Sequence, residues 1–179
     1  MSIPVIISFG ANVDPLNNLH RGLLSLHKEI KLEDISTVWR TDPLPDPKQG
    51  ADYDLGGSYL NGAVLSFTKI DPFSLKKILK NIEADCSRVP SNNKFAPRPI
   101  DLDIVMVGDR IVDSDNLTLP DPEILQRSFV ALPVAQLAPE LHHPLESKSM
   151  ADIAADFLAI KDGMTKDQKA TDLLRSILD

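Results

Sequence analysis

Cysteine is almost absent: Cys86 is the only one in 179 residues. That excludes an intrachain disulfide and a zinc site built on cysteines, and it fits a reducing compartment. Its place on a predicted helix points to core packing. An excess of cations is missing too, since 19 Lys and Arg stand against 26 Asp and Glu, a net charge of −7 and a pI near 5.0. Coating nucleic acid or an acidic membrane needs the opposite balance, so neither is an expected partner, and any bound anion must meet a local cluster of cations. Long apolar runs are lacking. The opening "MSIPVIISFG" is apolar for only a few residues and has no basic lead, so it reads as neither signal peptide nor membrane span, and the cytoplasm is the expected location. Neither a G-x-x-x-x-G-K-[ST] loop nor a G-x-G-x-x-G fingerprint occurs, so a bound nucleotide has to be held by metal and arginine. There is no internal repeat and no low-complexity tract.

What is present suffices for a core of ordinary size: 42% of the residues are hydrophobic, and the length favours a single domain. "IPVIISF", 3–9, is a β-branched run that stops at Gly10. "NVDPLNNL" then starts a helix, with Asp14 as the cap and Pro15 in the first turn. Leu16, Leu19, Leu23, Leu26 and Ile30 recur at spacings of three and four and predict one buried stripe over 15–30. "DISTVWRT", 34–41, and "SYLNGAVLSFT", 58–68, alternate and read as strands. Between them lies a long Pro, Gly and Asp-rich loop, and long loops inside compact domains usually have a function. Asp71-Pro72 repeats the helix start, with Leu75, Ile78, Leu79, Ile82 and Cys86 on one face. After the irregular basic stretch 87–99 comes the strand "IDLDIVMVG", then a short hairpin arm and loop. The order β-α-β-β-α-β predicts an α+β (α/β) fold, a ferredoxin-like core with a mainly antiparallel sheet and helices on one face. "DPEILQRSFVALPVAQLAPEL" and "MADIAADFLAI" read as additional C-terminal helices covering the rest of the sheet. Residues 1–160 are read as the main domain and 161–179 as its helical extension, with 165–178 packing on that domain or on a partner chain.

Residues two apart on a strand share a face, so Asp101 and Asp103 project side by side while Leu102 turns inward. Such close like charges either take a hard cation between them, Mg²⁺ above all, or sit solvated or paired with arginine at the strand end. Arg88, Lys94 and Arg98 gather just before the pair, three of only 19 basic residues. Cations beside a carboxylate-bound metal suit a polyphosphate, though a plain salt-bridge cluster fits the same residues.

"APRPIDLDIVMVGD" resembles the signature of the 6-hydroxymethyl-7,8-dihydropterin pyrophosphokinase family of the folate pathway. "SFGAN" (8–12), "WRTDPL" (39–44), "SYLNGAV" (58–64) and "QRSFVALPVAQLAPELHHP" (126–144) fall in that family's order, so the likeness spans about residues 3–145. It implies transfer of pyrophosphate from ATP to the pterin hydroxymethyl group, giving AMP, with two Mg²⁺ ions on a ferredoxin-like fold. By position, Asp101 and Asp103 are implied as the metal ligands, and Arg88 and Arg98 stabilise charge on the phosphates. Asn61 is implied to hydrogen-bond the pterin, with Tyr59 and Phe129 sandwiching it and Thr41 and Leu44 meeting it through the backbone. Phe95 stands where the family has a Trp that closes over the pterin, and Gly10 lets the backbone pass close. Glu83, Lys94, Ile104, Thr118, Asp121 and Arg127 fall on the nucleotide side. Without the resemblance, Tyr59 and Phe129 read as core aromatics, Asn61 as a strand-edge residue and Gly10 as a turn. A monomer or weak homodimer is expected.

Three positions depart from the family. Asp121 replaces a usual His after "LTLP", Pro90 replaces an arginine soon after Arg88, and Asn116 replaces another. Each lost charge-assisted contact to phosphate costs about 1.5 to 3 kcal/mol, so weaker ATP binding and slower turnover follow unless another cation, such as Arg110 or Lys48, compensates. Two further readings therefore stand beside the enzyme: a degenerate relative that binds pterin or nucleotide without turnover, and a D-x-D transferase acting on another nucleotide or sugar phosphate. Loops 44–58 and 87–99, poor in apolar anchors, are expected to close when both ligands bind.

Overall fold

The computed structural model describes residues 2–42, 57–86, 97–158 and 163–179. Most of the two expected lid loops, with Leu44, Lys48, Arg88, Pro90, Lys94 and Phe95, lies outside these residues.

Strand β1 (Ile3–Ala11) runs past Gly10 instead of stopping there. Gly10 pairs with Asn61 on one side and Asp101 on the other, so flanking ladders carry the strand through a residue that ends isolated ones. Helix α1 (Pro15–Glu29) buries Leu19, Leu23 and Leu26, as the stripe predicts. Its cap differs: Asp14 sits in the left-handed region at φ 41° with no side-chain capping bond, and its carboxylate accepts instead from the Asn17 amide at 2.9 Å. An N-cap needs an extended backbone to aim its oxygen at the free N–H groups. Asp71 has one, at φ −69° and ψ 153°, and accepts from Phe73 and Ser74, each at 3.0 Å, to start α2 (Pro72–Asp85).

The strand expected at 34–41 is two strands, β2 (Leu32–Ile35) and β3 (Trp39–Thr41). At the break, the Val38 N–H leaves the ladder to donate to Thr171 Oγ1 at 2.9 Å. Both segments lie antiparallel along β4 (Tyr59–Thr68), whose other neighbour is β1. Strand β5 (Asp101–Val107) joins the far side of β1, also antiparallel. Hence β1 and β2 run in the same direction with β4 between them, and β4 and β5 run in the same direction with β1 between them. Each pair is joined by one helix, which makes two interleaved split βαβ units.

Strand alternation assigns the layers. Val5, Ile7 and Phe9 of β1 share a core with Leu19, Leu23 and Leu26 of α1 and Leu75 and Leu79 of α2. Ile6, with Ala63 and Val105, packs on the opposite face against Val130 and Val134 of α3 (Ser128–Leu137) and Met150 and Ile153 of α4 (Met150–Leu158). The later helices therefore cover the second face. A small hairpin, β6 (Val112–Ser114) and β7 (Leu117–Leu119), stands apart from the main sheet, and a 3₁₀ turn, Pro122–Leu125, leads into α3.

The C-terminal stretch packs on its own domain. Strand β8 (Thr165–Lys166) extends the sheet beside β3, and α5 (Gln168–Arg175) buries Ala170 and Leu174 in the α1-side core. Asp167 pairs with Arg40 at 2.5 Å, and Arg175 Nε donates to the Ile35 carbonyl at 2.8 Å. Among the described residues, no helix is long and apolar enough to cross a membrane.

Candidate active site

The register of β1 fixes the carboxylates. Asp101 lies opposite Gly10 and Asp103 opposite Ser8, and the Leu102 side chain between them is fully buried in the core. Both carboxylates open into a cleft of about 430 Å³. Arg98 sits at its edge, held by its own backbone: its N–H donates to Asn12 Oδ1 at 2.7 Å, and its carbonyl accepts from the Asn12 N–H at 3.0 Å. The Arg98 guanidinium forms an ion pair with Asp101. The strand end is thus a clamped arginine beside one carboxylate and a more exposed second carboxylate, with side-chain exposures of 18% for Asp101 and 48% for Asp103.

The first cleft gathers Gly10 of β1, Thr41 of β3, Tyr59 and Asn61 of β4 and Phe129 of α3, from four separate places in the chain. Tyr59 rises from the start of β4 and Phe129 from α3, so the walls are a sheet on one side and a helix on the other. Both rings are only partly buried and line the cleft, and Phe129 also packs against the second-face core. Asn61 is buried at the centre, and its amide donates to Thr41 Oγ1 at 2.8 Å. Gly10 has a definite task here: a Cβ on it would meet Asn61 Oδ1 at 2.8 Å, so only glycine leaves the amide its place. Arg127, expected on the nucleotide side, lines this first cleft together with Glu123, Arg98, Asp101 and Asp103. It directly precedes α3, whose second residue is Phe129.

A second cleft, about 280 Å³, opens between α2, β5 and the β6–β7 hairpin, and gathers Ile104, Thr118 and Asp121. Asp103 belongs to both clefts. Asp121 caps the 3₁₀ turn by accepting from the Glu123 N–H at 2.8 Å. Burial pushes its carboxyl up to about 6, helped by the charges of Glu123 and Asp103 and opposed by that hydrogen bond and by Lys76. Glu83 forms part of neither wall. It is buried behind β5, where it accepts the Leu102 N–H at 2.8 Å and so fixes the backbone between the two aspartates.

Sequence reasoning missed Lys76 and Lys80. Lys76 lines the second cleft, and its ammonium donates to the Asn116 carbonyl. Lys80 lies 3.0 Å from Glu83 and 3.6 Å from Asp103. The cations singled out in the sequence, Arg88, Lys94 and Arg98 with Arg110 and Lys48 as substitutes, include none from α2. The available signal was helical: 76, 80 and 83 are spaced four and three apart, on one face of a helix that packs beside β5. Asn12 and Asp42 were also missed as parts of the site, though they lie inside or beside segments already singled out.

Together the split βαβ sheet and two adjoining clefts that share the Asp103 carboxylate define an α+β protein with a two-part site. The sequence matches the 7,8-dihydro-6-hydroxymethylpterin-pyrophosphokinase family over residues 6–139, and the chain belongs to that family. It is 34% identical over 141 residues to a folic acid synthesis protein of Schizosaccharomyces pombe, covering 77% of this chain but only 18% of that protein. It is 30% identical to the 2-amino-4-hydroxy-6-hydroxymethyldihydropteridine pyrophosphokinase of a Synechocystis strain, covering 83% of this chain and 73% of the relative. The fold is similar, at a TM-score of 0.67 and 14% identity, to Plasmodium falciparum HPPK-DHPS crystallised with pterin and p-hydroxybenzoate, over 93% of this chain and 46% of that one.

Proposed function

We propose that the chain transfers the terminal pyrophosphoryl group of ATP to the hydroxymethyl oxygen of 6-hydroxymethyl-7,8-dihydropterin, releasing AMP. The observation that carries this reading is the sharing of Asp103 between an aromatic, amide-bearing cleft and a second cleft. A flat heterocycle suits the first, between the faces of Tyr59 and Phe129 with Asn61 at its edge. The nucleotide occupies the second, beside Ile104 and Thr118. The two reacting groups then meet at Asp101 and Asp103.

Magnesium fits this donor set. Among the described residues no group of three or more His, Cys, Asp or Glu side chains forms a metal cage. Mg²⁺ does not need one, since it commonly takes one or two carboxylates and completes its shell with phosphate oxygens and water. Two ions held by Asp101 and Asp103 would neutralise the triphosphate and align its β-phosphorus. The protein's own residues supply the positioning. Glu83 and Ser8 fix the strand that carries the carboxylates, and Asn12 holds the Arg98 backbone at the cleft edge. Arg98 and Arg127 offer guanidinium forks to the charge that develops as the bond between the α- and β-phosphates breaks and the bond to the pterin oxygen forms. No nucleophilic side chain is required, because proximity and charge neutralisation carry most of the catalysis. The cytoplasm is the proposed compartment, and a monomer the proposed state, because the C-terminal apolar stripe is used within its own core.

The purified protein incubated with ATP, Mg²⁺ and the pterin is expected to yield AMP. Formation of ADP, or no nucleotide product, overturns the reading.

A further inference from the structure

The second cleft is poorly equipped for an anion. Its charged walls among the described residues are Asp103, Asp115, Asp121 and a single cation, Lys76. Lys80 stands one helical turn further along α2. Its ammonium donates to both oxygens of Glu83 at 3.0 Å and lies 3.6 Å from an Asp103 oxygen. Glu83 is itself immobilised: its side chain is buried and accepts the Leu102 N–H. Lys80 is therefore hung from a fixed carboxylate and leans over the exposed carboxylate that the two clefts share.

A lysine ammonium has three donors. Two are used on Glu83, and at 3.6 Å the Asp103 contact is an ion pair outside hydrogen-bond length. A pair this exposed, with 42% and 48% of the side chains accessible, contributes little and is readily exchanged. We propose that Lys80 is an exchangeable counter-ion of the shared aspartate: it neutralises Asp103 in the nucleotide-free protein, and when the magnesium–nucleotide complex engages Asp103, its third N–H passes to a phosphate oxygen. The tether to Glu83 persists, so the ammonium need not be repositioned. This assignment rests on the functional reading above. It gives the acidic second cleft a phosphate-binding residue drawn from a helix, next to Lys76.

The two halves predict opposite shifts in one variant. Calorimetric titrations would use Mn²⁺ alone, and α,β-methylene-ATP with Mg²⁺, on the wild-type protein, Lys80→Met and Lys80→Arg. Met preserves the stem and favours a helix, so the fold is retained. Lys80→Met is expected to bind Mn²⁺ about threefold more tightly without nucleotide, because a competitor for Asp103 is gone. It is expected to bind the analogue about tenfold more weakly, because a charge-assisted contact is lost. Lys80→Arg should stay near wild type in both. Equal analogue affinity in Lys80→Met overturns the assignment. So does joint weakening of Mn²⁺ and analogue with a lowered Tm, which would make Lys80 only a brace for Glu83. If the wild-type protein itself takes up no analogue, the functional reading fails, whatever the variant does.

Discussion

The two clefts are built by different means. The first takes Gly10, Thr41, Tyr59 and Asn61 from adjacent strands, where antiparallel register sets each neighbour: Gly10 faces Asn61, and Thr41 faces Tyr59. The second is assembled from a helix, one strand and a detached hairpin, and its walls carry more acid than base. A ring-binding site needs shape, which a sheet fixes through hydrogen bonds every few ångströms. A site for a flexible polyphosphate needs charge, which long side chains on a helix and arginines on loops supply from several directions. The first kind tolerates little change in residue type, whereas the second permits cations to move from one element to another while charge is maintained.

Asp103 is where the comparison breaks most completely, because both clefts use it. Asp103→Asn is expected to reduce AMP formation on the order of a thousandfold, with the melting temperature nearly unchanged, since this half-exposed side chain contributes little to the core. An active Asp103→Asn enzyme would mean that the metal is held elsewhere.

Removing an aromatic wall should separate the two sites. Tyr59→Ala and Phe129→Ala are each expected to weaken pterin binding by roughly ten- to hundredfold through lost ring contact and burial. Binding of the ATP analogue alone should move less than twofold. Equal loss of both ligands would show that the clefts are coupled and that the division between shape and charge does not hold.

Gly10→Ala acts within the first cleft by geometry alone. The new Cβ meets Asn61 Oδ1 at 2.8 Å, so the amide must turn away from Thr41 or the two strands must part. A stability loss of about 1 to 2 kcal/mol by denaturant titration is expected, together with pterin affinity about tenfold lower and nucleotide affinity unchanged. A variant with full pterin affinity would show that Asn61 does not orient the ring.

This contrast also explains what was legible in the chain. The strands of the first cleft alternate, and alternation determines faces, so the juxtaposition of Asp101 with Asp103 followed from spacing alone. Helix α2 was equally clear as an element, because Asp71 caps it and its apolar stripe is regular. Its polar face offered only the helical spacing of Lys76, Lys80 and Glu83, which a solvated face can share, since what makes the two lysines special is the packing of α2 beside β5. That Arg127 joins Arg98 and the two aspartates in one cleft was hidden for a similar reason: its place is set by how α3 docks on the second face of the sheet, a tertiary fact. Asp14 shows the limit of local rules, for Asp-Pro starts both α1 and α2, yet only Asp71 has the backbone conformation that lets the carboxylate cap.

The smallest effect concerns the residue that makes the second cleft acidic. Asp121 has its carboxyl pushed up to about 6 from 3.8, chiefly by burial. An acid raised in the folded state favours folding fully below its unfolded value, and that contribution is lost as pH rises from about 4 through 6. Above pH 6 the folded protein therefore carries a partly buried charge that the unfolded chain would solvate more fully. A shift of about two units corresponds to roughly 3 kcal/mol at most, and partial solvent access reduces the expectation to about 1 to 2 kcal/mol. Asp121→Asn keeps an oxygen to accept from the Glu123 N–H but cannot ionise. It should be more stable than wild type by that amount at pH 7.5, with the gain disappearing by pH 4, as read by denaturant titrations across the range. The same substitution removes a negative charge from the wall of the proposed nucleotide cleft, so at pH 7.5 the ATP analogue should bind several-fold more tightly. Lowering the pH to 5.5 should narrow that advantage, because the wild-type carboxyl then takes up its own proton. A stability gain that persists at pH 4 would mean that Asp121 is strained by packing and not by charge. An unchanged analogue affinity would place the phosphates away from this wall and confine the charge argument to Asp103 and Lys80.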